Sequence, residues 1–381
     1  MESIQLINTV FLAISLVYFF FYMYMLSHEA PPKSPLEHFS AVTILVALRN
    51  EQESILACCK ALNALDYPHD KIEILMLNDN SDDNSRQIIS DYIKDKNQFQ
   101  LIDITGDKDG LRGKINVLAQ GMDISSNEFI FVTDADCQPQ PGWIKTLLEY
   151  YDERTGLISG FTILDSANPG ILDKLQKIDM IYLQSMAVMA SNIQRPVTVI
   201  GNNITFRRSV YESVGGFKKI GFTVTEDHAL MKAILDQTDY NVHYIRDNNG
   251  LVLSRPTSGF KNFIEQRRRW MIGGLKARPF AFLLVGLSFL IHSAMVVFTL
   301  SGQWNMTTGT AIGLILGIDY FLLKRSLKDL QIKINTLQFL TFEIFYILYT
   351  HILIFLLFFS RKVKWKGRKY SGATHNSEAG T

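Results

Sequence analysis

The sequence has little of what marks several common classes of protein. It has three cysteines, Cys58, Cys59 and Cys137. They are an odd number without the spacing of a zinc site, so they argue against a disulfide framework and for a reducing, cytosolic side. Basic excess is also lacking, because 38 basic and 37 acidic side chains leave a net charge of +1. Nucleic-acid-binding proteins usually carry such an excess, so we expect no nucleic-acid partner.

The phosphate-binding motifs of two large nucleotide-binding classes are missing. No Gly-x-Gly-x-x-Gly stands between the first predicted strand and helix of the soluble region, and no Walker A lysine motif occurs in the sequence. Any phosphate must therefore be held by a metal ion and by side chains.

Charge is absent from a long N-terminal stretch, residues 4–26, which could cross about 30 Å of hydrocarbon as a helix. This stretch lacks a preceding basic region and a following small-residue cleavage site, which favours a retained anchor over a signal peptide. Further long hydrophobic segments lie at 279–300, 307–323 and 337–359.

These segments divide the chain into parts with different expected environments. Basic residues beside the spans place 27–278 and 324–336 in the cytoplasm, so we expect a multi-pass protein of the plasma or inner membrane. Three full crossings after residue 278 would put the basic run 361–369 outside, which leaves open a re-entrant or interfacial position for one segment. The predicted parts are an N-terminal membrane anchor (1–30), a cytoplasmic domain (31–278), a C-terminal membrane region (279–360) and a basic then polar tail (361–381).

The soluble region alternates strand-like and helix-like segments. Near-continuous apolar runs, typical of strands covered on both faces, occur at 41–48, 72–79, 99–105 and 128–136. Amphipathic segments at 53–65, 84–93 and 114–123 lie between them. The alternation predicts an α/β fold of the nucleotide-binding kind, with a mostly parallel sheet and right-handed crossovers.

Polar residues follow three of these strands where they end. Ligands of such sheets collect at the carboxyl ends of the strands, so we expect the three groups to form one site. Carboxylates suit Mg²⁺, which completes its shell with water and substrate phosphates. An isolated Asp-x-Asp also has a purely structural interpretation, in which the first acid caps a turn and the second is solvated. The groups are Arg49-Asn50-Glu51, Asn78-Asp79-Asn80 and Asp134-Ala135-Asp136.

Four motifs in order carry more information than any one of them. They are "LNDNSDD" (77–83), "DAD" (134–136), "TED" (225–227) and "QRRRW" (266–270). In this order, over roughly residues 41–275, the sequence resembles family 2 glycosyltransferases. The resemblance implies an inverting, membrane-attached enzyme with a Rossmann-like, nucleotide-sugar-binding domain of the GT-A type. "WKGRKY" (365–370) is similar to the tail of ceramide-glucosyltransferase-like members.

Carried over position by position, the resemblance implies how the donor is held. Glu51 and Asp79 would contact the nucleoside, and Lys114 would lie near the base and phosphates. Asp134 and Asp136 would bind Mg²⁺ or Mn²⁺ together with the diphosphate of the donor.

The same resemblance implies the groups on the acceptor side. Asp227 matches the general base, and Gly201 lies in the segment that approaches the sugar. Arg269 would contact the pyrophosphate, while Gln266 and Trp270 would shape the entrance for the acceptor.

The implied reaction moves a sugar from a nucleoside diphosphate, expected to be UDP, to a hydroxyl of a lipid or glycan. A base takes the hydroxyl proton, and a metal and Arg269 neutralise the leaving diphosphate. The few spans after the domain favour single transfer to a lipid. The alternatives are a processive polysaccharide synthase and, from another class, a non-catalytic nucleotide-sugar-binding subunit. Other proteins of cell-envelope glycan assembly are possible partners.

Several neighbouring residues have plainer interpretations. Asn78 occupies the position of the first acid in the family's motif. We interpret Glu226 as a surface acid and His228 as a structural residue. We interpret Arg267 and Arg268 as juxtamembrane positive charges that anionic lipid headgroups attract.

Overall fold

A computed structural model of the chain describes residues 2–302, 304–359, 362–365 and 368–371. Most of the predicted tail, and two positions of "WKGRKY", lie outside these residues. The helices are α1 (Glu2–Leu26), α2 (Ile55–Asn63), α3 (Ser85–Ile93), α4 (Lys114–Ile124), α5 (Trp143–Leu148), α6 (Ile171–Asn192), α7 (Arg208–Ser213), α8 (Gly216–Ile220), α9 (Glu226–Gln237), α10 (Gly259–Gly274), α11 (Pro279–Leu300), α12 (Met306–Asp329) and α13 (Thr336–Phe359). The strands are β1 (Val42–Leu48), β2 (Ile72–Asn78), β3 (Phe99–Asp103), β4 (Phe129–Asp134), β5 (Gln138–Pro139), β6 (Thr155–Ser159), β7 (Thr162–Leu164), β8 (Ile204–Arg207), β9 (Asn241–Tyr244), β10 (Val252–Ser254), β11 (Lys362–Trp365) and β12 (Arg368–Ser371).

A mixed, mostly parallel sheet forms the centre of the soluble region, in the order β3-β2-β1-β4-β8-β6-β9. Strand β8 is antiparallel to both of its neighbours, and the other pairs in this sheet are parallel. The predicted strands are found as β1 to β4 and the predicted helices between them as α2 to α4. The predicted α/β class is therefore confirmed.

The sheet is covered on both faces, as the apolar runs predict. Ile44 and Val46 of β1 pack in a cluster with residues of α2 and α5, whereas Leu45 between them packs in a second cluster with α4 and α9. Successive side chains of a strand point to opposite faces, so a run that is apolar throughout fills both layers. The three cysteines are buried and free.

The pairing register places the functional loops side by side. Leu48 of β1 pairs with Asn78 of β2, and Ala47 of β1 pairs with Asp134 of β4. The strands are parallel, so the segments that follow all three leave from the same edge of the sheet. A small sheet, in the order β5-β10-β7, adjoins this edge through the segment after β4.

Among the described residues, α1, α11, α12 and α13 are long and apolar enough to cross a membrane. Helix α6 joins this group to the soluble region, because it packs against α1, α12 and α13. Tyr18 of α1 and Tyr182 of α6 both donate hydrogen bonds to Asp319 of α12, at 2.9 and 3.0 Å. Arg246 also pairs with Asp329 at the end of α12, at 2.6 Å. The apolar helices are therefore fastened to the soluble region by polar contacts.

Candidate active site

The segments after β1 and β2 interlock at the sheet edge. Asn50 and Asn80 have φ values of 55° and 50°, in the left-handed region where asparagine is tolerated. Each strand therefore turns sharply as soon as it ends. The Asp82 backbone N–H donates to Asn50 Oδ1 at 3.0 Å. This contact fixes one turn against the other.

Glu51 and Asp79 are positioned by these turns. The Ser54 hydroxyl donates to the Glu51 carboxylate at 2.8 Å, and the Glu51 N–H donates to Ser85 Oγ at 2.7 Å. The Arg49 guanidinium donates to the Asp79 carbonyl oxygen at 2.8 Å. Both acids are thus held by neighbours that leave them at the edge of the sheet.

Asn78 has a structural role where the family has an acid. Its side chain is buried, donates to Asp103 Oδ1 at 2.8 Å and accepts from the Ser81 N–H at 3.2 Å. The amide thereby joins the end of β2 to the end of β3. Asp79 remains the residue of this motif that faces the cavity described below.

A tight turn at the end of β4 positions the acid pair. Ala135 and Cys137 are buried, whereas Asp134 and Asp136 are half-buried. The Cys137 N–H donates to the Asp134 carbonyl oxygen at 3.0 Å, so the chain turns at residues 135 and 136 as soon as the strand ends. Both acids line the cavity described below. The alternative interpretation, in which Asp136 is simply solvated, does not require this position.

Lys114 links the acid pair to the start of α9. Its ammonium lies 2.6 Å from Asp134 Oδ1 and 3.0 Å from Glu226 Oε1. Burial by itself lowers the pKa of Lys114, but the two carboxylates outweigh it and raise the pKa, so the ammonium stays charged. Glu226 is buried, so its interpretation as a surface acid is wrong. Gly113, with φ of 63°, turns the chain into α4 immediately before the lysine.

Asp227 lies in the first turn of α9, against the glycine segment. Its Oδ1 accepts from the His228 N–H at 2.8 Å. A Cβ on Gly201 would lie 2.9 Å from Asp227 Oδ2, so only glycine allows this close approach. Burial and the charge of Glu226 raise the pKa of Asp227 to about 6. The carboxylate is thus ionised at neutral pH but binds a proton more readily than an ordinary aspartate.

Helix α10 brings the last motif to the site. Arg269 donates to the Val224 carbonyl oxygen at 3.2 Å, just before the "TED" motif. Gly273 lies so close to Thr225 that a Cβ at this position would clash with that side chain. The first turn of α9 and helix α10 are therefore in direct contact.

Arg267 is a structural residue, and its interpretation as a headgroup-binding charge is wrong. The side chain is buried, and its guanidinium lies 2.6 Å from Asp179 of α6. It also stacks 4.3 Å from the Trp270 ring centre and donates to Gln266 Oε1 at 2.9 Å. No local sequence pattern indicates this pair, because Asp179 is 88 residues away.

One cavity of about 1030 Å³ unites the site. It contains every residue that the sequence predicts for donor binding, metal binding and catalysis. These lining residues are Glu51, Asp79, Lys114, Asp134, Asp136, Asp227, Gln266, Arg269 and Trp270.

The cavity continues into an apolar arm that the sequence does not predict. The arm passes between α6, α11 and α13, where its walls include Leu183, Phe289 and Leu353. Phe282 and Val285 of α11 line it and are also exposed, so the arm opens at the outer surface of that helix. These helices are far apart in the sequence, and their uniformly apolar composition does not distinguish a cavity wall from a lipid-facing surface.

The polar end of the cavity has the chemistry of a cation and diphosphate site. Asp134, Asp136, Glu226 and Asp227 share it with Lys114, so acidic charge exceeds the charge of the lysine. Carboxylate oxygens are the ligands that Mg²⁺ and Mn²⁺ prefer, and the donor set fits either ion.

Comparisons with known proteins agree with this geometry. The chain matches the sequence model of glycosyl transferase family 21 over residues 8–377. It is 27% identical to the probable glycosyltransferase YdaM of Bacillus subtilis over 247 residues, which are 62% of this chain and 56% of YdaM. It is 26% identical to poly-beta-1,6-N-acetyl-D-glucosamine synthase of Staphylococcus epidermidis over 263 residues, 68% of this chain and 61% of the synthase. The match thus spans less than two thirds of the length of these relatives.

A solved structure shares the fold. The mannosyltransferase PcManGT of Pyrobaculum calidifontis, in complex with GDP-mannose and Mn²⁺, has a TM-score of 0.58 and 18% identity. The similarity covers 86% of this chain and 98% of that chain.

Proposed function

Since the chain belongs to glycosyl transferase family 21 and is a glycosyltransferase with a GT-A type fold, we propose that it moves a sugar from a nucleoside diphosphate to the hydroxyl of a membrane lipid. The observation that carries this proposal is the single cavity that joins the polar sheet edge to an apolar arm open at α11. UDP is the expected nucleotide.

The donor would be bound at the sheet edge. Glu51 and Asp79 would contact the nucleoside, and Arg269 would bind the diphosphate through its planar guanidinium. A Mg²⁺ or Mn²⁺ ion held by Asp134 and Asp136 would supply charge neutralisation to the leaving diphosphate.

Lys114 would keep the acid pair in position before and during donor binding. Its ammonium contacts Asp134 and Glu226, and its positive charge offsets the repulsion between these two carboxylates. The same charge, beside the acid pair, is suited to the phosphates of the donor.

Asp227 would act as the general base. Its carboxylate faces the cavity from the start of α9, and its raised pKa favours acceptance of a proton from an alcohol. Displacement by a deprotonated hydroxyl in one step inverts the anomeric centre. Gln266 and Trp270 would border the path of the acceptor.

The apolar arm supports a lipid as the acceptor. Small-molecule cavities are lined mostly by apolar side chains with a few polar groups, and here the walls between α6, α11 and α13 are largely aliphatic and aromatic. An alkyl chain in the arm would place its polar head near Asp227. We also propose that residues 27–278 face the cytoplasm, with the part boundaries predicted above.

A processive polysaccharide synthase is the second candidate, because poly-beta-1,6-N-acetyl-D-glucosamine synthases are among the relatives. A glycan would require polar walls along the arm, and the arm is largely apolar.

The test uses the purified full-length chain in detergent, with a panel of UDP- and GDP-sugars, Mn²⁺ and an extract of membrane lipids. Nucleotide release and the mass of the product identify donor and acceptor. A single sugar on a lipid is expected, whereas a polymer would favour the second candidate.

A matched pair of variants tests the arm. Val285 and Leu290 of α11 are both 66% exposed, but Val285 lines the cavity and Leu290 does not. Val285→Trp should lower lipid glycosylation at least about tenfold by obstructing the acceptor, since small misplacements at a reacting centre are costly. Leu290→Trp should be unchanged, and both should retain donor binding. Equal activity of the two variants would count against the arm as the lipid site.

A further inference from the structure

We propose that His292, Asp319 and Glu343 bind a divalent transition-metal ion, of the Zn²⁺ class, within the apolar helices. Each residue comes from a different helix, α11, α12 and α13 respectively. All three are buried, and one ligand atom from each lies within 4.8 Å of the others. This cluster is separate from the acid pair of the sheet edge.

The orientation of His292 leaves one ring nitrogen for a ligand. Its Nδ1 lies 2.7 Å from the Ser288 carbonyl oxygen, one helical turn earlier. A carbonyl oxygen only accepts hydrogen bonds, so Nδ1 carries a proton. A histidine that donates one N–H to a carbonyl while the other nitrogen binds the ion is the usual arrangement at metal sites.

The other nitrogen points at two carboxylates. His292 Nε2 lies 3.0 Å from Asp319 Oδ2 and 3.6 Å from Glu343 Oε2. With Nδ1 protonated, Nε2 either carries a second proton that it donates to Asp319 or offers its lone pair to a cation that the two carboxylates share. Atoms bound at about 2.0–2.1 Å from one Zn²⁺ are separated by roughly 3.0–3.5 Å. The contact with Asp319 lies in this range, and a small movement of the Glu343 side chain would bring the 3.6 Å contact into it.

Asp319 is held in place for this role. Its Oδ1 accepts hydrogen bonds from Tyr18 at 2.9 Å and Tyr182 at 3.0 Å. These hydroxyls satisfy one oxygen and leave Oδ2 directed at His292. Hydrogen-bonded carboxylates of this kind are common around metal ions.

Glu343 supplies the observation that requires a ligand. Its side chain is only 3% exposed, yet neither of its oxygens has a hydrogen-bond partner among the described residues. Its contact with His292 Nε2 at 3.6 Å is longer than a hydrogen bond, and a buried carboxylate without hydrogen bonds is unfavourable unless it is neutralised. Protonation of His292 would balance one of the two acids, whereas a divalent ion with neutral histidine balances both.

The ligand set selects the class of ion. One imidazole nitrogen with carboxylate oxygens suits Zn²⁺ and similar transition metals, whereas Ca²⁺ and Mg²⁺ take mainly oxygen ligands. His292 and Tyr346 line the apolar arm of the cavity, so the ion would fasten α11, α12 and α13 around it. Its expected role is to fix the arrangement of these helices.

The test measures metal content and does not depend on activity. Full-length Asp136→Asn removes one predicted ligand of the sheet-edge site, so zinc bound there is diminished. After treatment with a chelator, dialysis against Zn²⁺ and removal of free metal, this variant should retain about one zinc per chain by mass spectrometry. Adding Glu343→Gln, which keeps the shape of the side chain, should lower that content at least tenfold.

A second measurement needs no substitution in the cluster. X-ray absorption at the zinc edge of the Asp136→Asn protein should show one imidazole nitrogen together with carboxylate oxygens. A protein that retains no zinc, or retains it equally with and without Glu343→Gln, would overturn the proposal. The cluster would then be neutralised by protons. Gel filtration identifies a double variant that loses zinc because it fails to fold. In that case the X-ray absorption spectrum of the Asp136→Asn protein tests the proposal.

Discussion

At the scale of single residues, Asp227 makes the pH dependence of the reaction predictable. Its pKa is raised to about 6, first by burial and then by Glu226. A general base must be unprotonated, so kcat/KM should be half-maximal near pH 6, level off about one unit above it and approach a tenfold fall per unit below it. Activity measured from pH 5 to 8 checks this.

Asp227→Asn is the corresponding variant. It should lower kcat roughly 10²–10⁴-fold and abolish the acidic limb, with donor binding retained. An unchanged rate would show that another group takes the proton.

Substitutions of the two charged neighbours of Asp227 should shift the acidic limb of the pH profile in opposite directions. The charge of Glu226 raises the pKa of Asp227 and the charge of Lys114 lowers it. Glu226→Gln should therefore shift the acidic limb to lower pH, and Lys114→Met should shift it to higher pH. Profiles that move together, or not at all, would contradict the electrostatic argument.

Sequence motifs identify the residues whose signal is local. Asp134, Asp136 and Asp227 are recognised by the strand or motif in which they occur, and the structure brings them to one cavity. Glu226 and Arg267 were misinterpreted because each is defined by a distant partner, Lys114 and Asp179 respectively. Buried ion pairs between separate elements leave no local pattern.

At the scale of elements, the close approach of the glycine segment to α9 is testable. A Cβ at position 201 would lie 2.9 Å from Asp227 Oδ2, which is closer than an ordinary van der Waals contact. Gly201→Ala should therefore displace the carboxylate and lower kcat roughly 10²-fold, with donor binding little changed. Steady-state kinetics and donor titration separate the two effects.

Gly170→Ala is a suitable control for this variant. Its nearest contact would be 3.7 Å, an ordinary van der Waals distance, and activity should stay near that of the unchanged chain. Equal losses in both variants would indicate general destabilisation.

The sequence predicts elements well where their periodicity is long enough. Strands β1 to β4 and the helices between them follow from apolar runs and amphipathic segments. The small sheet of β5, β7 and β10 was not predicted, because strands of two or three residues show no period.

At the scale of the whole molecule, four motifs in order were enough to predict family 2 glycosyltransferases. The match to glycosyl transferase family 21, which belongs to the family 2 clade, over residues 8–377 confirms this prediction. The apolar helices at both ends were also predicted from composition. The arm of the cavity was not, because three helices distant in sequence enclose it. The structure therefore adds an argument for a lipid acceptor to the one that the small number of spans provides.

The connection between the soluble region and the apolar helices yields a stability prediction. Asp179 of α6 pairs with Arg267 of α10 at 2.6 Å and accepts from Tyr349 of α13 at 2.6 Å. Asp179→Asn would leave the buried guanidinium without its counter-charge, at a cost of about 3–5 kcal/mol. Thermal unfolding in detergent should therefore begin at a clearly lower temperature.

An exposed ion pair provides the control that gives this prediction its meaning. Lys94 and Asp91 lie 2.8 Å apart on the surface, where solvent screens the charges. Asp91→Asn should leave the unfolding temperature unchanged. Replacing both Asp179 and Arg267 by leucine removes the buried charges together, so the double variant should be more stable than Asp179→Asn. A double variant as unstable as Asp179→Asn would contradict the assignment of the lost stability to the unpaired guanidinium.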